Sequence, residues 1–219
     1  MLGEIYRAAT VVEAASGTAA IKRLGQILDP TQSELTPALV LVKGHLRRRN
    51  FAEAKNRLML ILDQHPNHSL ALMWLGTAHV GMGEDEQAGV AIRRALESKP
   101  DWAEAWFNLG LLRLRQGQYE TGLEHLQRVI KARPNMPVAW FYPGRVYAEL
   151  GHVDQAIDGY RRALELEPSY SQVYTAIGEA LLQTGEKAQA TRYLRHGTRV
   201  AARPQPIAQA LKKVLGFQE

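Results

Sequence analysis

No cysteine occurs in the 219 residues. That excludes a disulfide framework, a thiolate metal site and a cysteine nucleophile, and it suits a reducing compartment. Long apolar runs are missing too. No stretch reaches the eighteen or so apolar residues that a membrane-spanning helix requires. The phosphate-cradling GxxxxGK[ST], the dinucleotide-binding GxGxxG and the zinc-protease HExxH are all absent, so the usual marks of three large enzyme classes are not found. Within the first thirty residues Glu4, Arg7, Glu13, Lys22 and Arg23 break up any charge-free core of a signal peptide. The expected setting is the cytoplasm.

What is present is ordinary in amount and unusual in arrangement. Hydrophobic residues make up 46% and charged residues 22%, as in a folded soluble chain. The formal net charge of +5 resides at one end. Residues 186–219 hold Lys187, Arg192, Arg195, Arg199, Arg203, Lys212 and Lys213 against Glu186 and Glu219, and the preceding residues carry 20 charges of each sign.

The segment AWFNLGLLRLRQG, residues 105–117, returns thirty-four residues later as AWFYPGRVYAELG, residues 139–151. Offset by that period, five blocks align: 35–68, 69–102, 103–136, 137–170 and 171–204. The eighth place holds Val42, Gly76, Gly110, Gly144 and Gly178; the twentieth holds Ala54, Ala88, Gly122, Ala156 and Ala190. The twenty-fourth holds Leu58, Ile92, Leu126, Tyr160 and Leu194, and the twenty-seventh Ile61, Ala95, Val129, Ala163 and Gly197. Pro66, Pro100, Pro134 and Pro168 recur at the thirty-second, and in the fifth block Pro204 falls two residues late. A fixed period of this kind is the signature of a repeat array.

Within a block the apolar residues fall three or four apart on two helices. A glycine such as Gly117 supplies the turn between them, and the closing proline stops the second helix. Trp106, Trp140 and Tyr174 share the fourth place, where a core position is expected. A single hairpin of this type cannot bury its apolar face, so neighbouring hairpins must stack.

Residues 35–204 resemble the tetratricopeptide repeat (TPR) family. The resemblance implies an all-α, right-handed α-α superhelix of stacked antiparallel hairpins. Residues 1–34 fit as a degenerate first repeat, with Ala20, Leu24 and Ile27 at the right places. Residues 205–219 read as an amphipathic capping helix with Ile207, Leu211, Val214 and Leu215 on one face.

The resemblance also implies a function: a non-catalytic scaffold or adaptor, with no cofactor, holding a peptide or helix of a partner protein in a concave groove. First helices line that groove in the family. The corresponding places point to Met73, Trp74, Phe107, Asn108, Leu111, Arg115, Phe141, Tyr142 and Arg145, an apolar stripe flanked by polar groups; an aromatic at the fifth place is common in the family, so Phe107 and Phe141 also read as packing within their own repeats. One TPR subclass grips chaperone C-terminal carboxylates. Here its basic places hold Leu39, Lys43, Trp74, Glu104 and Asn108, which argues against such a tail.

Arg192, Arg195 and Arg199 lie three and four apart and read as a solvated face, or as a docking patch for an acidic partner. Sparse aromatic interleaving argues against nucleic acid. His65 and His68 read as a solvated loop rather than a metal site, and His45 and His79 as half-buried at a helix contact. No metal site is expected. Pro143, two turns into its helix, is expected to kink it and free the carbonyl of Ala139. Two other readings stand beside the scaffold: a regulatory module of a larger sulfotransferase- or glycosyltransferase-like enzyme, and a scaffold that self-associates through its open ends.

Overall fold

The computed structural model describes residues 36–216, and every regular element among them is an α-helix. The repeat read in residues 1–34 and the last three residues lie outside the described part. The helices are α1 (Thr36–Arg47), α2 (Phe51–Gln64), α3 (Ser69–Met82), α4 (Asp85–Ser98), α5 (Ala103–Arg115), α6 (Tyr119–Ala132), α7 (Pro137–Glu149), α8 (Val153–Leu166), α9 (Ser171–Gln183), α10 (Lys187–Val200) and α11 (Gln205–Leu215). The chain forms two compact units that part between His125 and Leu126, inside α6. In the first unit α1 pairs with α2 and α3 with α4, and the second helix of each pair also packs on the next first helix. In the second, α7 pairs with α8 and α9 with α10, α8 packs on α9, and α11 lies against α9 and α10.

The turn inside each block is set by one backbone conformation. Gly83, Gly117, Gly151 and Gly185, all at the fifteenth place, have φ between 75° and 81°. Glycine adopts this left-handed geometry without a Cβ clash and ends the first helix there. In the first block the same place is Arg49, and its φ is 59°. The left-handed region costs a residue with a Cβ roughly 1–2 kcal/mol, against roughly 0.5–1 kcal/mol for the extra entropy glycine loses on folding. Arg49→Gly is therefore expected to stabilise the protein by about 0.5–1 kcal/mol. Urea unfolding of the two proteins side by side checks this. An unchanged or lower midpoint would mean that the Arg49 guanidinium, 5.9 Å from the Phe51 ring centroid, already offsets the strain.

Small residues at the eighth place let paired helices approach. A Cβ on Gly76 would meet the Ile92 side chain at 2.6 Å, and one on Gly178 would meet Leu194 at 2.9 Å. The tightest backbone approach is between α7 and α8. A Cβ on Gly159 would stand 3.0 Å from the Trp140 carbonyl oxygen and 3.3 Å from the Cα of Gly144.

Of the fourth-place aromatics, Tyr174 is core as expected, but the two tryptophans do a different job. Trp106 and Trp140 are half-buried, not core. Each indole N–H donates to the carbonyl of the proline that closes the preceding block, Trp106 to Pro100 at 2.6 Å and Trp140 to Pro134 at 2.9 Å. The Tyr174 hydroxyl donates to Pro168 at 2.9 Å in the same way. An indole or phenol must satisfy its donor when it leaves water, and the loop carbonyl six residues back is in reach. The second block has Leu72 at this place, and there Arg94 donates to the Pro66 carbonyl from the side, at 3.0 Å. The late proline of the fifth block has a matching reason. Ala202 stands where the other blocks have proline, and its N–H donates to the Ser169 carbonyl at 2.9 Å, a bond that proline cannot make.

The final helix caps the second unit. Ile207 and Val214 are buried with Tyr174 and Leu194, and Leu211 packs against them. Leu215, expected on the same face, is exposed, because one residue on from Val214 the helix has turned by about 100°. Among the described residues no helix is long and apolar enough to cross a membrane.

Candidate functional site

The nine candidate groove residues fall into two groups, one in each unit. In the first, α3 and α5 are neighbours. Met73, Phe107, Asn108 and Leu111 are buried there. The Asn108 amide donates to the Met73 sulfur at 3.2 Å, and the Thr77 hydroxyl to the Met73 carbonyl at 3.1 Å. The fifth place of one block thus meets the sixth place of the next, and both are withdrawn from solvent. Trp74 keeps part of its ring exposed while the rest packs on the cluster of Leu39, Val42, Leu58 and Ile61.

Arg115 is tied up within the fold. Its Nε donates to Asp85 at 2.9 Å, a second guanidinium nitrogen pairs with the same carboxylate, and Nη1 reaches the Val80 carbonyl at 3.4 Å. This fork-to-carboxylate geometry joins the first helix of one block to the second helix of the block before it. Burial holds the Arg115 pKa below its usual value.

In the second unit Phe141 is buried among Tyr142, Tyr160 and Tyr170, with ring centroids 5.3, 5.7 and 5.3 Å away. Tyr142 is buried as well. Burial pushes the Tyr160 phenol well above its usual range. Arg145 lies over this group with its guanidinium carbon 6.0 Å from the centroids of both Phe141 and Tyr142, and its Nη2 is 3.9 Å from a Glu149 carboxylate oxygen. Cation–π contacts of this kind are worth about 0.5–2 kcal/mol and hold the side chain extended across the rings.

Of the two readings of Phe107 and Phe141, packing within the repeats holds, while the expectation of a groove role for Tyr142 is corrected. Phe107, Phe141 and Tyr142 are core, as are Met73, Asn108 and Leu111; Trp74 and Arg145 are partly exposed. Arg192, Arg195 and Arg199 are exposed on α10, a helix with no acidic residue.

His68 was not legible as a structural residue. The loop histidine His65 is exposed, but His68 is buried at the N-cap of α3. Its Nδ1 accepts the Ala71 N–H at 3.1 Å, which places the ring proton on Nε2. Burial, more than the nearby charges of His65 and Lys99, lowers its pKa from 6.5. The available signal was its position, the last residue between the closing proline and an apolar run, where an N-cap belongs.

That lowered pKa fixes the sign of a pH effect. The unfolded chain takes up the proton first, so the stabilisation is complete above about pH 6.5 and is lost as pH falls towards the folded value. Urea midpoints of wild type should drop on acidification below pH 6.5, and His68→Asn, which retains a cap acceptor without titrating, should show a shallower drop. Parallel pH profiles would refute the assignment. Elsewhere, His79 is buried with Nδ1 2.5 Å from Glu84, which Lys55 also approaches at 3.2 Å. Hydrogen bonds with His79 and Lys55 hold the Glu84 carboxyl below its usual range. Among the described residues no group of three or more acidic or histidine side chains could hold a metal ion.

A model described as "Tetratricopeptide repeat" matches residues 39–101 and 79–137, and one described as "TPR repeat" matches 144–185. The chain belongs to the tetratricopeptide repeat family. Its fold resembles that of a MamA protein, at 21% identity with a TM-score of 0.64 over 84% of this chain and 95% of that one. Pseudomonas aeruginosa PilF is similar at 21% identity, TM-score 0.71, over 83% and 84% of the two chains. PilW, described as a widely conserved type IV pilus biogenesis factor, is similar at 19% identity, TM-score 0.72, over 84% and 87%. No curated protein matches the chain in sequence.

Proposed function

We propose that the chain is a non-catalytic scaffold that holds a segment of a partner protein on the first-helix face of its repeats. The observation that carries this reading is the setting of Trp74. It is a large aromatic at the sixth place of its block, anchored on a buried cluster yet still accessible. Amphipathic aromatics held in this way are the usual anchors of protein interfaces. Arg145 offers a similar, separate anchor in the second unit, with a cation held over two aromatic rings. The lack of cysteine supports a cytoplasmic setting.

The partner is to be trapped by a photo-crosslinking phenylalanine placed at position 74 and then measured by calorimetry as a purified protein. Trp74→Ala is expected to weaken that binding by about 2 kcal/mol, the scale of an interface hot spot, with helical circular dichroism unchanged. Full affinity in a folded Trp74→Ala, Arg145→Ala double variant would end this reading.

A further inference from the structure

Arg192, Arg195 and Arg199 form a row on the exposed side of α10. From first to last they span about 10 Å of helix. Among the described residues no carboxylate pairs with any of them. Their places are the twenty-second, twenty-fifth and twenty-ninth of the block. In every other block that row contains at least one carboxylate: Asp63, Glu97, Glu124, and Asp158 with Glu165. Second helices elsewhere pair their charges internally, Arg57 with Glu53 on α2 at 2.7 Å and Arg162 with Glu165 on α8 at 2.5 Å. α10 has no acidic residue, and α11, which packs on it, has none either.

Like charges three and four residues apart weaken a helix. The helix dipole favours Arg199, in the last turn, but it does little for Arg192 and Arg195 and opposes Lys187 at the start. The row is thus kept against the preference of the helix itself, and it is open to a ligand of opposite charge.

The surroundings select that ligand. All three places hold arginine, whose planar fork meets a carboxylate with two parallel N–H bonds. Apart from Val200, its last residue, α10 exposes no large apolar side chain, so it has no wedge to insert into a lipid surface. Its one aromatic, Tyr193, is half-buried. The ring packs on the cluster of Tyr174, Leu194 and Ile207, and the hydroxyl accepts from Arg161 Nε at 3.2 Å. Tyr193 therefore offers no stacking platform to a nucleic-acid base.

We propose that the exposed face of α10 is a second docking surface, separate from the first-helix face, and that its occupant is an acidic segment of a partner protein. That segment presents several carboxylates within about 10 Å, one for each arginine of the row. The proposal stands whether or not the first-helix face binds a partner.

The test uses the full chain and a fluorescent octaglutamate peptide, read by anisotropy. Wild type should bind the peptide at low ionic strength and release it as salt rises, because exposed charge pairs are screened. The triple variant Arg192→Gln, Arg195→Gln, Arg199→Gln should bind about tenfold more weakly, the combined effect of three exposed pairs. Its urea midpoint should equal or exceed that of wild type, since like charges are removed from one helix face. A control triple, Arg47→Gln, Arg48→Gln, Arg93→Gln, removes the same charge from exposed places in the first unit and should bind as wild type does. Equal weakening in the two triples would overturn the proposal, because net charge alone would then explain the binding. So would a wild type that does not bind the peptide at low salt, or one that binds phosphatidylserine vesicles or duplex DNA more tightly than the peptide. A lower urea midpoint in the α10 triple would also overturn it, by assigning the arginines to the fold.

Discussion

Gly159→Val is expected to lower stability by about 3 kcal/mol, at the upper end of the usual cost of overpacking. The reason lies in what the new side chain would meet. Even a Cβ at Gly159 stands 3.0 Å from the Trp140 carbonyl oxygen, 3.3 Å from the Gly144 Cα and 3.4 Å from the Gly144 nitrogen. All three are backbone atoms of α7, so no rotamer change relieves the contact; the helices must separate. Separation would in turn loosen Tyr160, which is buried against Phe141 and Gly144. Gly44 makes the control. A Cβ there meets nothing within 4 Å, and the residue lies inside α1. Gly44→Ala should therefore stabilise by roughly 0.5–1 kcal/mol through helix propensity alone. Urea unfolding of both variants checks the pair. A Gly159→Val protein as stable as wild type would mean that α7 and α8 can move apart at no cost, contrary to the close packing described.

Much of the architecture was legible because glycine and proline recur at fixed places. Pro66, Pro100, Pro134 and Pro168 stop helices, and Gly83, Gly117, Gly151 and Gly185 turn them, whatever surrounds them. Arg49 shows the limit of reading by residue type, since the fold imposes the same left-handed turn on a residue that does not favour it. The candidate site was less legible. Periodicity places Phe107 and Phe141 on the first-helix face, but burial depends on how closely the next first helix approaches. The bond between Asn108 and Met73 records that approach, and it joins residues 35 positions apart. Arg115 is a similar case. Its partner Asp85 lies 30 residues upstream on a second helix, and no spacing rule within one helix would pair them. Trp106 shows a different limit: its shared place predicts core, whereas its N–H needs a carbonyl at the block boundary.

Pro143→Leu is expected to raise stability by about 1–3 kcal/mol, the range for removing proline from a helix interior. Proline at this position was expected to kink the helix. The helix does not end there: α7 runs from Pro137 to Glu149 with Pro143 inside it. The cost of the proline is then local. It has no N–H for the Ala139 carbonyl, and its ring crowds that same oxygen. Leucine would restore the bond, and Leu109 fills the corresponding place in the block before. For a chain of this length each kcal/mol moves the melting temperature by about 2–4 °C, so calorimetry resolves the expected gain. The neighbouring residues make the outcome informative about function, because Tyr142 and Arg145 flank Pro143 on the same helix. If partner binding depends on how α7 carries Arg145 over the two rings, the stabilised variant should bind less tightly. Unchanged affinity in a stabilised variant would confine the proline to a tolerated local cost. A lower melting temperature would reverse the argument, because it would mean that the half-buried ring of Pro143 fits a space beside Gly144 that leucine cannot enter.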